Sequence, residues 1–167
     1  MDKTLADAIV MLKAEFVKRQ KGGSHIHEII PISPESLSIV QHELEMLHKF
    51  AESNSIYTGS YEMDILGTAC SVYEGDVNNY WLDSIKHDTS YAPFYPVWIL
   101  SAYALALESK SLGAKQLIDI GSGDGRIAYC AKVAGLQSFA IEIDENLVSL
   151  ENKILSNTGV DFQPMMT

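Results

Sequence analysis

Apolar positions near the start of the chain recur at helical spacing. Leu5, Ile9, Leu12 and Phe16 share one side of a cylinder, with Lys3, Asp7, Lys13 and Lys18 elsewhere on it. The pattern stops at Gly22-Gly23, a C-cap signal, so a helix is predicted over 4–20. Residues 24–33 read as a connector with a short strand over 27–30. Ser33-Pro34-Glu35 then has the chemistry of a helix start: a capping hydroxyl, a proline suited to the first position, and an acid for the positive helix end. Leu37, Val40, Leu44, Leu47 and Ala51 follow at spacings of 3, 4, 3 and 4, a stripe expected to pack against the first helix.

Residues 61–73 suggest another helix, with Gly67 inside it, and 74–79 are turn-rich. Tyr80, Trp81, Leu82 and Ile85 suggest a short helix, followed by a proline- and aromatic-rich stretch over 91–96. A largely buried helix is predicted over 97–109, ending near Gly113. After that the texture changes. Residues 116–120 form a short apolar strand, 121–125 a glycine loop, 126–134 a helix, 138–143 a strand, 145–156 a helix begun by Asp144, and 160–166 a third strand. The order β-α-β-α-β is the signature of a parallel sheet. The expected fold is therefore α/β: a helical N-terminal domain over 1–90, then the parallel-sheet unit over 91–167.

Composition narrows the function. The 167 residues carry 47% apolar and 20% charged side chains, which excludes a disordered or collagen-like chain. The net charge of −10 disfavours general binding to nucleic acid or an anionic membrane. The most apolar stretch, 97–107, is shorter than the roughly 20 residues that span a bilayer. Residues 1–20 lack the apolar core of a signal peptide. Cys70 and Cys130 lie in apolar stretches and read as free buried thiols, which suits a reducing cytoplasm. His25 and His27 read as a surface pair, because no cluster of further ligands at metal spacing completes a site.

The chemistry concentrates in Leu117-Ile118-Asp119-Ile120-Gly121-Ser122-Gly123-Asp124-Gly125-Arg126-Ile127. A strand runs through alternate glycines into a helix, where bare backbone lets a ligand approach and free N–H groups meet it. Glu142 ends the next strand 21 positions after Gly121, where a carboxylate can accept hydrogen bonds from both hydroxyls of a ribose. Asp119 precedes the first glycine by two positions. The dinucleotide fingerprint G-x-G-x-x-G is broken, because Arg126 stands where its third glycine belongs, and Asp124 would crowd a diphosphate. The expected ligand is a nucleoside with little or no negative charge beside the loop. Arg126 itself reads as a solvated helix residue.

The segment D-I-G-S-G-D-G-R-I, followed by A-I-E-I-D, resembles the first motif and acidic strand end of class I S-adenosylmethionine-dependent methyltransferases, over about residues 91–167. The resemblance implies an enzyme with S-adenosylmethionine as cofactor. The backbone of Gly121, Ser122, Gly123 and Gly125 would line its methionine part and Asp119 would hold its amino group. Glu142 would take the ribose hydroxyls and Ile143 would pack near the adenine. With Y-A-P-F-Y-P-V upstream, the pattern is similar to a small group of archaeal and mitochondrial protein-lysine methyltransferases. Tyr91, Phe94 and Tyr95 are candidates for an aromatic lid or substrate channel. The acceptor expected is a protein side chain or a small molecule, and no catalytic residue is assigned.

A complete sheet of this class resembles seven strands, and this sequence supplies three before Thr167. The expectation is a fragment, or a homodimer that pairs the open edges. Two rival functions stand beside the enzyme: a non-catalytic nucleoside-binding or assembly module, and a nicotinamide- or flavin-dependent oxidoreductase.

Overall fold

The computed structural model describes residues 4–20, 25–76 and 95–167. Over these residues the fold is mixed α/β with two small sheets. In chain order it forms α1 (Leu5–Arg19), β1 (His25–Pro31), a 3-10 turn (Pro34–Ser36), α2 (Gln41–Ser53), β2 (Tyr57–Ile65) and β3 (Thr68–Asp76). Then come α3 (Ile99–Ser111), β4 (Gln116–Ile120), α4 (Arg126–Val133), β5 (Gln137–Glu142), α5 (Glu145–Thr158) and β6 (Pro164–Met166).

The N-terminal region is not purely helical. It contains an antiparallel sheet in the order β1-β3-β2, built around the segment expected to be a helix over 61–73. The reason is a two-residue hairpin turn. Leu66 and Gly67 both take positive φ, 54° and 78°, the geometry that lets a two-residue loop follow the right-handed strand twist. Ile65 pairs with Thr68 across it, and the Gly67 N–H donates to Asp64 Oδ1 at 3.0 Å. Gly67 therefore closes a hairpin and is not a helix interior residue.

The second helix also starts later than its cap signal. Ser33 makes no capping bond to the backbone; its hydroxyl donates to the Glu35 carboxylate, and Pro34 opens only the 3-10 turn. α2 begins at Gln41, so Leu37 and Val40 fall outside it, and Val40 is 61% exposed. Leu44, Leu47, Phe50 and Ala51 form its buried face, which packs mainly on β1, α4 and α5 and shares its apolar cluster with Ile9 of α1. α1 turns Leu12 and Phe16 onto Ile29, Ile65, Cys70 and Val72 of the antiparallel sheet. It starts at a capping box in which the Asp7 N–H donates to Thr4 Oγ1 and the Thr4 N–H to Asp7 Oδ2, both at 3.1 Å.

The second sheet is parallel, in the order β4-β5-β6, as its alternation with helices predicts. β6 is shorter than the expected 160–166 and holds only three residues. Asp144 caps α5 by accepting from the Asn146 N–H at 2.8 Å. Ala140, Ala128, Ala131, Leu150 and Ile154 join Leu44, Leu47, Phe50 and Ile30 in one apolar cluster, so both sheets share a core. Each large apolar side chain there contributes about 1.5–3 kcal/mol by leaving water. The Tyr129 hydroxyl, donating to the Met46 carbonyl at 2.7 Å, ties α4 to α2. On the other face of the parallel sheet, Ile118 and Ile120 are exposed. Cys70 and Cys130 are free and buried. Among the described residues no helix is long and apolar enough to cross a membrane.

Candidate functional site

The glycine loop leaves the carboxyl end of β4 and is pinned to β5. The N–H groups of Gly121 and Ser122 both donate to the Ile141 carbonyl, at 2.8 and 3.1 Å. The Gly125 N–H turns back to the Ser122 carbonyl at 2.9 Å. Gly125 is the N-cap of α4 at φ 76°, a region costly for any residue with a Cβ. Close packing reinforces that demand, because a Cβ there would lie 2.5 Å from the Phe162 ring and 3.2 Å from Glu151 Cγ. Phe162 and Glu151 thus form the floor of the loop.

Two predicted acids meet at this loop. Glu142 ends β5 and folds its carboxylate onto backbone donors: Gly123 N–H at 2.8 Å, Ile143 N–H at 2.7 Å and Asp144 N–H at 3.1 Å. Asp119, in β4, has its Oδ2 shut off from solvent, with no hydrogen-bond partner among the described residues. Burial pushes the Asp119 carboxyl up to about 6, and the nearby Asp124 and Glu142 carboxylates push in the same direction. Ile143 is half-exposed beside Glu142. Of the aromatic trio, Tyr95 is 72% exposed, while Tyr91 and Phe94 lie outside the described residues, as does the short helix expected around Tyr80–Ile85.

Arg126 corrects the expectation most sharply. It is 2% exposed, not solvated. Its guanidinium grips Asp124 with Nε at 2.9 Å and Nη2 at 2.5 Å. Nη1 donates to Glu28 Oε2 at 2.8 Å and to the Val97 carbonyl at 2.5 Å, and Nη2 also reaches the Tyr57 hydroxyl at 3.0 Å. The Phe50 ring lies under it, 5.5 Å from ring centre to the guanidinium carbon. Asn54 donates to Asp124 Oδ2 at 2.8 Å, and Glu28 Oε1 accepts from the Ile99 N–H at the start of α3 at 2.7 Å. Although burial disfavours a charge here, Asp124, Tyr57 and Glu28 hold Arg126 firmly protonated. Burial pushes Glu28 up to about 7 against the pull of Arg126 and the Ile99 N–H.

Asp124 is therefore consumed by internal partners, and its expected part in crowding a diphosphate falls away. The loop disfavours phosphate for a different reason: the Gly123 N–H is already donated to Glu142, and Asp119 and Glu142 bring carboxyl groups to the same sheet edge. The arrangement favours a ligand bearing a cationic donor group.

Glu28, Asn54, Tyr57 and Glu151 carry no motif that marks them as site residues in the sequence. Glu28 offers one readable signal: an acid within the apolar run His25–Pro31 needs a buried partner. His27 sits 3.5 Å from Glu74 and packs edge-on against Phe16, so it belongs to the antiparallel sheet's packing. Among the described residues no group of three His, Cys, Asp or Glu side chains is arranged to hold a metal ion. A cleft of about 260 Å3 lies elsewhere, between His42 and Met46 of α2, Lys132 and Val133 of α4, and Gly159–Asp161. No family model matches the chain, and no curated protein matches it.

Proposed function

We propose that the glycine loop is the S-adenosylmethionine site of a methyltransferase, built on a Rossmann-like β4-β5-β6 unit. The observation that carries this reading is the orphaned, buried Oδ2 of Asp119 beside a loop whose Gly123 N–H is taken by Glu142. Such a site suits a nucleoside with a cationic arm and disfavours a diphosphate. When bound, S-adenosylmethionine supplies an electrophilic methyl group on a sulfonium.

The chain's own residues bind and orient. Asp119 holds the ammonium group, and the backbone of Gly121, Ser122, Gly123 and Gly125 lines the methionine part. Glu142, three of whose carboxylate lone-pair sites are taken by backbone N–H groups, accepts a ribose hydroxyl at the fourth, and Ile143 lies against the adenine. Transfer to an acceptor nucleophile depends on alignment and exclusion of water, so no side chain is assigned as catalytic. The acceptor is a protein side chain, lysine among the candidates, or a small molecule. The charge of −10 disfavours a nucleic acid acceptor.

Calorimetric titration with S-adenosylmethionine, S-adenosylhomocysteine and NAD tests the reading. The first two should bind and NAD should not; binding of NAD alone would overturn it in favour of an oxidoreductase. Binding of S-adenosylhomocysteine without turnover on any acceptor pool would instead favour a non-catalytic module. Glu142→Ala should weaken S-adenosylhomocysteine by about 1–3 kcal/mol, the cost of leaving buried hydrogen-bond partners unmatched.

A further inference from the structure

Beneath the loop lies a carboxyl group that the proposed site does not use. Glu151, from the middle of α5, is fully buried. Its Oε1 lies 2.5 Å from the Ser122 hydroxyl, and its Oε2 has no partner among the described residues. An ionised carboxylate has about four lone-pair sites to satisfy, and here one hydroxyl serves them. The charged groups that face it among those residues are all acids: Asp119 from β4, Glu142 from β5 and Asp124 from the loop. Arg126, the cation that follows the loop, is committed to Asp124 and Glu28. Glu151 also packs directly under Gly125, so its state is felt by the loop backbone.

We propose that Glu151 is a positioning residue that couples ligand binding at the glycine loop to release of a proton. It is neutral in the ligand-free protein and becomes a carboxylate when the ammonium group of a ligand settles beside Asp119 and Glu142. The carboxyl O–H bond breaks, the electron pair stays on Glu151, and the proton passes to the solvent buffer. The ammonium charge then offsets part of the repulsion from Asp119 and Glu142, and the Ser122 hydroxyl donates to the new carboxylate. The surroundings favour the neutral starting state: burial, with the neighbouring acids, pushes Glu151 up to about 8, against the Ser122 hydrogen bond. Burial raises Asp119 less, to about 6.

Because this role rests on the S-adenosylmethionine reading, the two must fail separately. The test is calorimetric titration of S-adenosylhomocysteine at pH 7.5 in two buffers of different ionisation heat. Wild-type protein should release a large fraction of one proton per ligand, and its affinity should rise about tenfold between pH 6.5 and 8.5. Glu151→Gln should bind with equal heats in both buffers and lose that rise. A wild-type titration that binds without buffer-dependent heat, or a Glu151→Gln protein that still releases the proton, overturns the inference and leaves the ligand assignment standing. Absence of binding by wild-type protein overturns the ligand assignment itself. If Glu151→Gln does not fold, Ser122→Ala gives the second measurement. It keeps the carboxyl and removes its donor, so the pH midpoint of proton release should move upward; an unmoved midpoint overturns the inference.

Discussion

Two buried charge clusters meet at the glycine loop, and they are built on opposite principles. In the first, Glu28, Arg126 and Asp124 are knitted together with Asn54, Tyr57, the Ile99 N–H and the Val97 carbonyl. Each carboxylate there faces the guanidinium, and the charges alternate in sign. In the second, Asp119, Glu142 and Glu151 bring acids together with no cation among them, and two of their oxygens have no partner among the described residues. A satisfied buried cluster fixes structure, whereas an unsatisfied one stores a preference for something that has yet to arrive. The first cluster bolts the antiparallel sheet to the loop; the second is the one that the proposed function assigns to the ligand.

The largest effect should come from breaking the first cluster. Arg126→Met removes its cation and leaves Asp124 and Glu28 uncompensated in the core. The expected loss is about 3–5 kcal/mol of folding stability, the range for stripping one partner from a buried pair. Chemical denaturation reads it directly. A loss below about 1 kcal/mol would show that the cluster is dispensable and that the two sheets hold together by apolar packing alone.

The second cluster should respond with the opposite sign. A carboxyl whose folded pKa is raised binds more protons in the folded than in the unfolded protein. Its stability contribution is intact below the unfolded value near 4.5 and is lost as pH rises through the folded value, about 8 for Glu151. Glu151→Gln carries no charge at any pH. Relative to wild type it should gain up to about 5 kcal/mol between pH 4 and pH 9, since each tenfold change in proton affinity between about 4.5 and about 8 corresponds to about 1.4 kcal/mol. Thermal unfolding across that range tests it, and a flat difference would remove Glu151 from the unsatisfied set.

The contrast also explains which parts are legible in the sequence. The loop, its flanking strands and the Asp144 cap follow from local rules: alternation, glycine and a capping carboxylate lie within a few residues of one another. Asp119 and Glu142 can be named because strand–loop–helix order places them at one sheet edge. The hairpin is hidden because Leu66, a residue that rarely takes positive φ, occupies a turn position normally marked by Asn or Asp. The satisfied cluster is hidden for a deeper reason. Arg126 and Glu28 stand 98 residues apart, and no periodicity links positions so distant. Arg126 alone looks like any polar residue in the first turn of a helix. Glu151 is masked in the same way, because one acid in α5 fits the solvated face of an amphipathic helix until the fold turns it under the loop.

Charge pairing at the surface supplies the smallest effect and a baseline for the other two. On α1, Glu15 accepts from Arg19 Nε at 3.0 Å and lies 3.9 Å from Lys18 Nζ, with the Lys18 side chain 76% exposed. Water screens this pair and rotamer entropy opposes it, so Lys18→Ala should change stability by less than about 0.5 kcal/mol. The residue also sits in the last turn of α1, where a cation favours the helix end, so the small change should be a loss. Raising the salt concentration should erase that loss while leaving the Arg126→Met effect nearly intact, because buried pairs are shielded from mobile ions. Equal salt sensitivity in the two variants would mean that solvent reaches Arg126, and the contrast between a buried charge cluster and a surface pair would collapse.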